Sequence, residues 1–361
     1  MPAYITEIGT AVPTNAFEQS EIADFMALAS QLDALETRKL KALYRSTKIQ
    51  TRHSVLSDYG KTSDFEFYPN TPNFEPFPTV SKRMEEYKRQ ALPLSLAAVS
   101  YIQNLENITH LITVSCTGLY APGLDIELVK ALNLDYHVQR TAINFMGCYG
   151  AFNGLKVAQA IVSSNPSAKV LMVSIELCTL HFQKKKDENN LLSNALFADG
   201  AAAVVIESKP RGLCLKIKGF HCDLLPEGHN DMAWYVSDLG FEMILSSYVP
   251  KLVKGGITQL INKLRAKIGI EKFDLFALHP GGKAILEAIE VELGITKNDN
   301  RFAYQILKDY GNMSSATVLF VLQKLLQNST SIDHKKNVLS AAFGPGLTLE
   351  SAVFEVINQN N

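Results

Sequence analysis

Apolar residues in the first half of the chain fall into two alternating kinds of run. "HLITVSC" (110–116), "HVQRTAINF" (137–145) and "KVLMVSIEL" (169–177) are short and rich in β-branched residues, and they predict strands. Between them, "LDIELVKALNL" (124–134) and "AFNGLKVAQAIVSS" (151–164) repeat apolar positions with a helical period, the second over most of its circumference. A small-residue turn and another strand follow in "FADGAAAVVIES" (197–208). Strands alternating with helices predict an α/β fold with a largely buried sheet.

Past residue 220 the rhythm restarts. "SYVPKLVKGGITQLINKLRAKIG" predicts a long helix, "FDLFALHP" a strand into a turn and "GKAILEAIEVELG" a helix. "MSSATVLFVLQKLLQ" (313–327) is a second helix apolar nearly all round, and "NVLSAAFGPGLTLESAVFEVI" closes as two strands around a Gly-Pro turn. The halves, 1–220 and 221–361, read as two versions of one architecture. The Pro-, Phe- and Asn-rich segment 60–82 reads as an ordered surface loop.

A chain of 361 residues exceeds the usual size of one core, in keeping with two units. Lys plus Arg (35) nearly balance Asp plus Glu (36), which leaves no positive field for a polyanion and excludes nucleic acid as a partner. The opening "MPAYITEIGTAVPTN" lacks the basic-then-apolar pattern of a signal peptide, and no apolar run reaches the roughly 18–20 residues that span a bilayer. A cytoplasmic protein with no transmembrane segment is expected. The cysteines at 116, 148, 178, 214 and 222 include no CxxC pair, so free thiols are expected, with no disulfide framework and no metal site.

In "NFMGCYGAFNG", Cys148 stands between two glycines where a buried strand hands over to a helix. The positive end of a helix favours a thiolate, whereas an ordinary free cysteine serves as a small hydrophobe. His279 ends the strand "FDLFALHP" and is followed by Pro280, Gly281 and Gly282; ligands of open α/β sheets bind at the carboxyl ends of strands. Asn312 immediately precedes a buried helix, where an N-cap is the usual role. Together the three suit nucleophilic catalysis, with a thiolate attacking a thioester and an imidazole and an amide sharing the oxyanion.

On "GCYGA" around Cys148, "ALFADGAAAVVI" around Phe197, "LHPGGKAIL", "GNMSSATVLF", "AFGPGLTLE" (342–350) and the opening "IGTAVP", the sequence resembles the type III polyketide synthases. These are the chalcone synthase-like branch of the thiolase superfamily, and the resemblance covers essentially the whole chain. It implies a thiolase-like α/β fold of two similar halves stacked as α-β-α-β-α layers, the first carrying Cys148 and the second His279 and Asn312. It also implies an acyltransferase that loads an acyl-CoA starter on Cys148 and extends it by iterative decarboxylative condensation with malonyl-CoA. The product is then cyclised to a pyrone, resorcinol, phloroglucinol or naphthalene-type compound, and no cofactor is used beyond the coenzyme A thioester substrates.

The same resemblance assigns further positions. Phe197 and Phe241 align with gatekeepers at the cavity mouth. Cys116, His181, Met232, Ser314 and the Gly344-Pro345-Gly346 loop fall where the family shapes its cavity, and a cysteine at 116 is similar to bacterial members, where plant enzymes usually have threonine. The basic run 37–53, with Lys39, Lys41, Arg45, Lys48 and Arg52, lies where the family binds coenzyme A. Ala121 stands where plant relatives send a methionine across the interface of a homodimer, which implies a homodimer here. A carrier-protein-dependent, single-round ketoacyl synthase of the third type shares the Cys, His and Asn but lacks the HPGG and FGPGLT signatures.

Overall fold

Every residue of the strand Lys169–Leu177 is buried, and its side chains alternate between two cores: Val170 and Met172 enter one, and Leu171, Val173, Ile175 and Leu177 the other. A strand apolar on both faces needs cover on both sides, which dictates a layered α/β arrangement. The computed structural model describes residues 1–359, so the last two residues of the second half lie outside it. The first half contains β1 (Ala3–Ala11), β2 (Asn15–Glu18), α1 (Gln19–Ala29), α2 (Ala34–Ser46), β3 (Thr51–Ser54), α3 (Val80–Val99), β4 (His110–Ser115) and α4 (Leu124–Ala131). It continues with β5 (Gln139–Asn144), α5 (Gly150–Ser164), β6 (Lys169–Leu177), α6 (Glu188–Leu196) and β7 (Asp199–Glu207). The second half contains β8 (Leu213–Leu224), β9 (Met232–Ser237), β10 (Gly240–Leu245), α7 (Val249–Ile268) and β11 (Leu275–Leu278). It ends with α8 (Lys283–Leu293), α9 (Arg301–Tyr310), α10 (Thr317–Gln327), β12 (Asn337–Gly344) and β13 (Thr348–Asn358).

The main sheet runs β11-β12-β13-β8-β1-β7-β6-β4-β5. Its two parts repeat one pattern: β1 to β7 to β6 to β4 is antiparallel, antiparallel, parallel, and so is β8 to β13 to β12 to β11. They share an edge where Ala3–Ile5 pairs with Leu215–Ile217. Between the halves lie α5, against β4, β6 and β13, and α10, against β1, β7 and β11; α3 covers the outer face of the first half and α7 that of the second. This is the layered α-β-α-β-α stack expected of the thiolase-like fold. It explains why α10 is apolar all round, since Thr317 to Leu322 are all buried in the middle layer.

Three expectations need correction. The strand before Cys148 is not buried: β5 ends the sheet, pairs only with β4, and exposes Gln139, Arg140, Thr141, Ala142 and Asn144. The segment 60–82 is not a surface loop throughout, because Phe67, Tyr68, Phe74 and Phe77 are buried and Tyr68 and Phe74 pack against Phe25 of α1. Its aromatic rings extend the outer core of the first half, and its last residues already belong to α3. The stretch 313–327 is helical in two steps, with a short 3-10 turn at 314–316 ahead of α10. Among the described residues no helix is long and apolar enough to cross a membrane.

Candidate active site

Cys148 lies in a 3-10 turn, Gly147–Tyr149, that leads directly into α5. Gly147 adopts φ +75, and a Cβ there would strike the ring of Pro345, so the position needs glycine for both its conformation and its closeness to the β12–β13 turn. The Gly147 N–H donates to Cys116 Sγ at 2.8 Å, so the thiol of Cys116 fixes the turn that presents Cys148. His279 leaves the end of β11, its N–H bonded to Ala341 O at 2.9 Å. Asn312 follows α9 and is clasped by the residues after α6: its N–H donates to Leu196 O and Ala198 N–H donates to Asn312 O, each at 2.9 Å.

These three residues line one cavity. Cys148 Sγ lies 3.8 Å from Asn312 Oδ1 and 3.9 Å from Asn312 Nδ2. The amide is oriented on both sides, since Oδ1 accepts the Ser314 N–H at 2.9 Å and Nδ2 donates to Gly281 O at 3.2 Å. His279 is 1% exposed, yet among the described residues neither ring nitrogen has a hydrogen-bond partner. Two buried, unbonded imidazole nitrogens in a cavity are costly in a fold and useful to a ligand. Burial pushes the His279 imidazole down to about 3 and the Cys148 thiol up to about 12, the latter opposed by its hydrogen bonds to Ser314 and Asn312. Burial thus works against ionisation of both groups and opposes the thiolate that the helix end favours.

Part of the remaining wall is apolar, and Arg52, His53, Thr117, Gln183 and Asn194 add polar groups to it. Ile22 and Met26 of α1, Phe182, Phe197, Ile285 and Phe343 line it, together with Met232 and Trp234 of β9 and Met243 and Leu245 of β10. The latter four share one face of the β9–β10 hairpin, because Leu245 pairs with Met232 and Met243 with Trp234. Of the predicted residues, Cys116, His181, Phe197, Met232, Ser314, Gly344 and Pro345 line the cavity. Ser314 does so from φ +47, a left-handed conformation uncommon for a residue with a side chain.

Other predicted positions lie elsewhere. Phe241 is not a lining residue; it is buried behind His181, stacked on that ring at 4.1 Å between centroids. Gly346 does not line the cavity either, and serves the turn with φ +72. Lys39 and Arg45 are exposed on α2 away from the lining residues, and Lys41 pairs with Asp24 at 2.5 Å. Arg52, read as part of that basic surface, is instead buried and lines the cavity, because the helix ends before it and β3 turns its side chain inward. Ala121 is exposed and outside the cavity.

Glu176, which the sequence reading passed over, is a carboxyl inside the apolar β6, and that break in an apolar run was its signal. It accepts hydrogen bonds from Cys116 N–H and Thr117 Oγ1, both at 2.9 Å, and from Ser315 Oγ. Burial raises its pKa. The group ties the end of β4 to the turn after Asn312.

Family models described as chalcone and stilbene synthases match the chain in both halves, the N-terminal domain at residues 1–210 and the C-terminal domain at 217–358. The chain is 32% identical to "Type III polyketide synthase C" of Arabidopsis thaliana, over 96% of this chain and 94% of that one. It is 29% identical to the "Alpha-pyrone synthesis polyketide synthase-like Pks18" of Mycobacterium tuberculosis, over 99% of this chain and 92% of the other. Among solved structures, the C-terminal type III polyketide synthase domain of Steely1 from Dictyostelium superposes with a TM-score of 0.89 at 27% identity, covering 99% of this chain and 100% of that one. PKS-I from the brown alga Ectocarpus siliculosus gives a TM-score of 0.91 at 27% identity, covering 99% and 98% of the two chains.

Proposed function

The chain belongs to the chalcone and stilbene synthase family and is a type III polyketide synthase, and from that premise we propose how its own residues carry the reaction. Cys148 is the nucleophile. As an acyl-CoA thioester enters, the Sγ proton passes to His279, sulfur attacks the carbonyl, and coenzyme A leaves as its thiol with that proton. In this step His279 acts as the general base for the thiol. Malonyl-CoA then loses carbon dioxide, and the resulting enolate oxygen is held by hydrogen bonds from His279 and the Asn312 amide. The enolate carbon attacks the acyl-Cys148 carbonyl, which releases the thiolate and lengthens the chain by two carbons. Phe197 presents an apolar face that disfavours the carboxylate and favours its departure.

The observation that carries this reading is the shared cavity of Sγ, amide and imidazole, with both imidazole nitrogens unbonded. The apolar walls support a hydrophobic starter and intramolecular ring closure. An α-pyrone is the first product to seek, given the name of the mycobacterial relative. Exposed Lys39 and Arg45 of α2 are assigned to the phosphates of coenzyme A. The exposed edge strand β5 supports a homodimer, because an unpaired strand edge is a template for a second copy. Gln139 and Phe145 donate their N–H groups toward β4, so residue 142 faces the free edge, and an Ala142→Pro chain, which removes an N–H from that edge, is expected to elute with lower mass by light scattering.

The test is incubation with radiolabelled malonyl-CoA and a panel of acyl-CoA starters, without carrier protein, and mass analysis of the extracted products. Products with two or more malonyl-derived units, lost in Cys148→Ala, support the assignment. Turnover only after a malonylated carrier is added would make the chain a single-round, carrier-dependent synthase.

A further inference from the structure

The last carbonyls of α6 have no acceptor role within the helix, as at any helix C-terminus. Here four in a row are satisfied by groups from distant parts of the chain. Arg52 Nη1 donates to Asn194 O at 2.8 Å and to Phe197 O at 2.7 Å, and Gln19 Nε2 donates to Ala195 O at 2.8 Å. Leu196 O accepts the Asn312 N–H at 2.9 Å, which forms one side of the short parallel bridge between Phe197 and Asn312. Arg52 Nε donates in turn to Gln19 Oε1 at 2.8 Å, so one guanidinium and one amide together hold the helix end.

Arg52 is 2% exposed, and its hydrogen bonds go to main-chain carbonyls and a neutral amide, with no carboxylate among the acceptors. A buried cation with no anionic hydrogen-bond partner is an expensive way to add stability, although the negative end of α6 and the nearby Asp199 carboxyl offset part of the cost. Its geometry is also protected. Gly311 has φ +72, and a Cβ there would lie 3.0 Å from Arg52 Cγ and 3.0 Å from Leu196 O, so the residue before Asn312 is shaped around this side chain. The turn that presents Cys148 is held by other contacts, those of Gly147 with Cys116 and Pro345, and only its Sγ meets the Asn312 amide.

We propose that Arg52, oriented by Gln19, is a positioning residue for the malonyl half of the reaction: it sets Phe197 and, through the bridge, Asn312 against the acyl group on Cys148. The proposal rests on the function assigned above. Its consequence is a division of labour, in which loosening the clamp slows decarboxylation and extension while loading of Cys148 continues.

The experiment uses the full chain as wild type, Arg52→Lys, Arg52→Met and Gln19→Leu. Loading is followed as acyl-Cys148 by intact mass in quenched time courses with an acyl-CoA starter. Malonyl use is followed as labelled carbon dioxide release and product formation, with kcat and KM separated. Arg52→Lys and Gln19→Leu are expected to load within about threefold of wild type, while kcat for malonyl use falls about 10- to 100-fold and its KM moves less than about threefold. Arg52→Met falls further; if it does not fold, the other two variants decide. Loading and malonyl use declining by the same factor, or an unchanged kcat, would overturn the proposal. A wild-type chain that never consumes malonyl-CoA would instead overturn the assigned function, so the two failures are distinct.

Discussion

Two buried histidines face the same cavity under similar electrostatic conditions and are treated in opposite ways. Burial pushes both His181 and His279 down to about 3. His181 Nε2 donates to Thr117 O at 2.7 Å, its Nδ1 accepts the Phe241 N–H at 3.0 Å, and its ring is stacked on Phe241 and met edge-on by Trp234. Among the described residues His279 has no hydrogen bond to either nitrogen. Perturbed titration alone therefore does not distinguish wall from catalyst; what distinguishes them is whether the polar atoms are already in use. A ring with both nitrogens bonded in the fold has nothing left to offer a thioester, whereas an unbonded ring can take a proton from a thiol and later donate to an enolate.

The largest expected effect is on His279. His279→Gln should lower kcat for malonyl-dependent product formation by about 100-fold or more, by analogy with loss of one oxyanion donor, with little change in denaturant midpoint. Next comes His181→Ala, which leaves the Phe241 N–H and Thr117 O without their partner and should cost about 1–3 kcal/mol in urea unfolding while Cys148 still acylates. A stability loss larger in His279→Gln than in His181→Ala would break the comparison.

A third effect concerns pH. Both imidazoles have folded values lowered to about 3 from an ordinary value near 6.5, so their contribution is present above about 6.5 and lost as pH falls toward 3. The melting temperature should fall between about pH 6.5 and 4, and less steeply in either single variant than in wild type. Asp199, raised to about 6 by burial, acts with the opposite sign, but it is present in every variant and cancels in the difference. Identical pH slopes in wild type and His279→Gln would show that this imidazole is not held neutral by the fold.

Much of this was legible in the chain because local pattern and burial coincide. The strand at 169–177 matches β6 residue for residue, since a strand buried on both faces is apolar at most of its positions. The Cys, His and Asn were found because each sits at the end of an element whose apolar run is unmistakable. What the sequence hid depends on contacts far along the chain. Arg52 looked like one more cation in a basic helix, but the helical period ends before β3, and its acceptors lie about 140 residues away. Phe241 belonged to the right hairpin, yet the stack on His181 that removes it from the lining is invisible without three dimensions. The edge position of β5 was hidden for a related reason: strand order is not written in the strand.

The β9–β10 hairpin forms its own two-stranded sheet, apart from the nine-stranded one, yet supplies Met232, Trp234, Met243 and Leu245 to the cavity. A wall carried on an appendage can drift under selection while the frame that aligns the nucleophile stays fixed. Exchange of a methionine for a glycine or a leucine there redraws the space offered to the growing chain without touching the register of any strand that holds Cys148, His279 or Asn312.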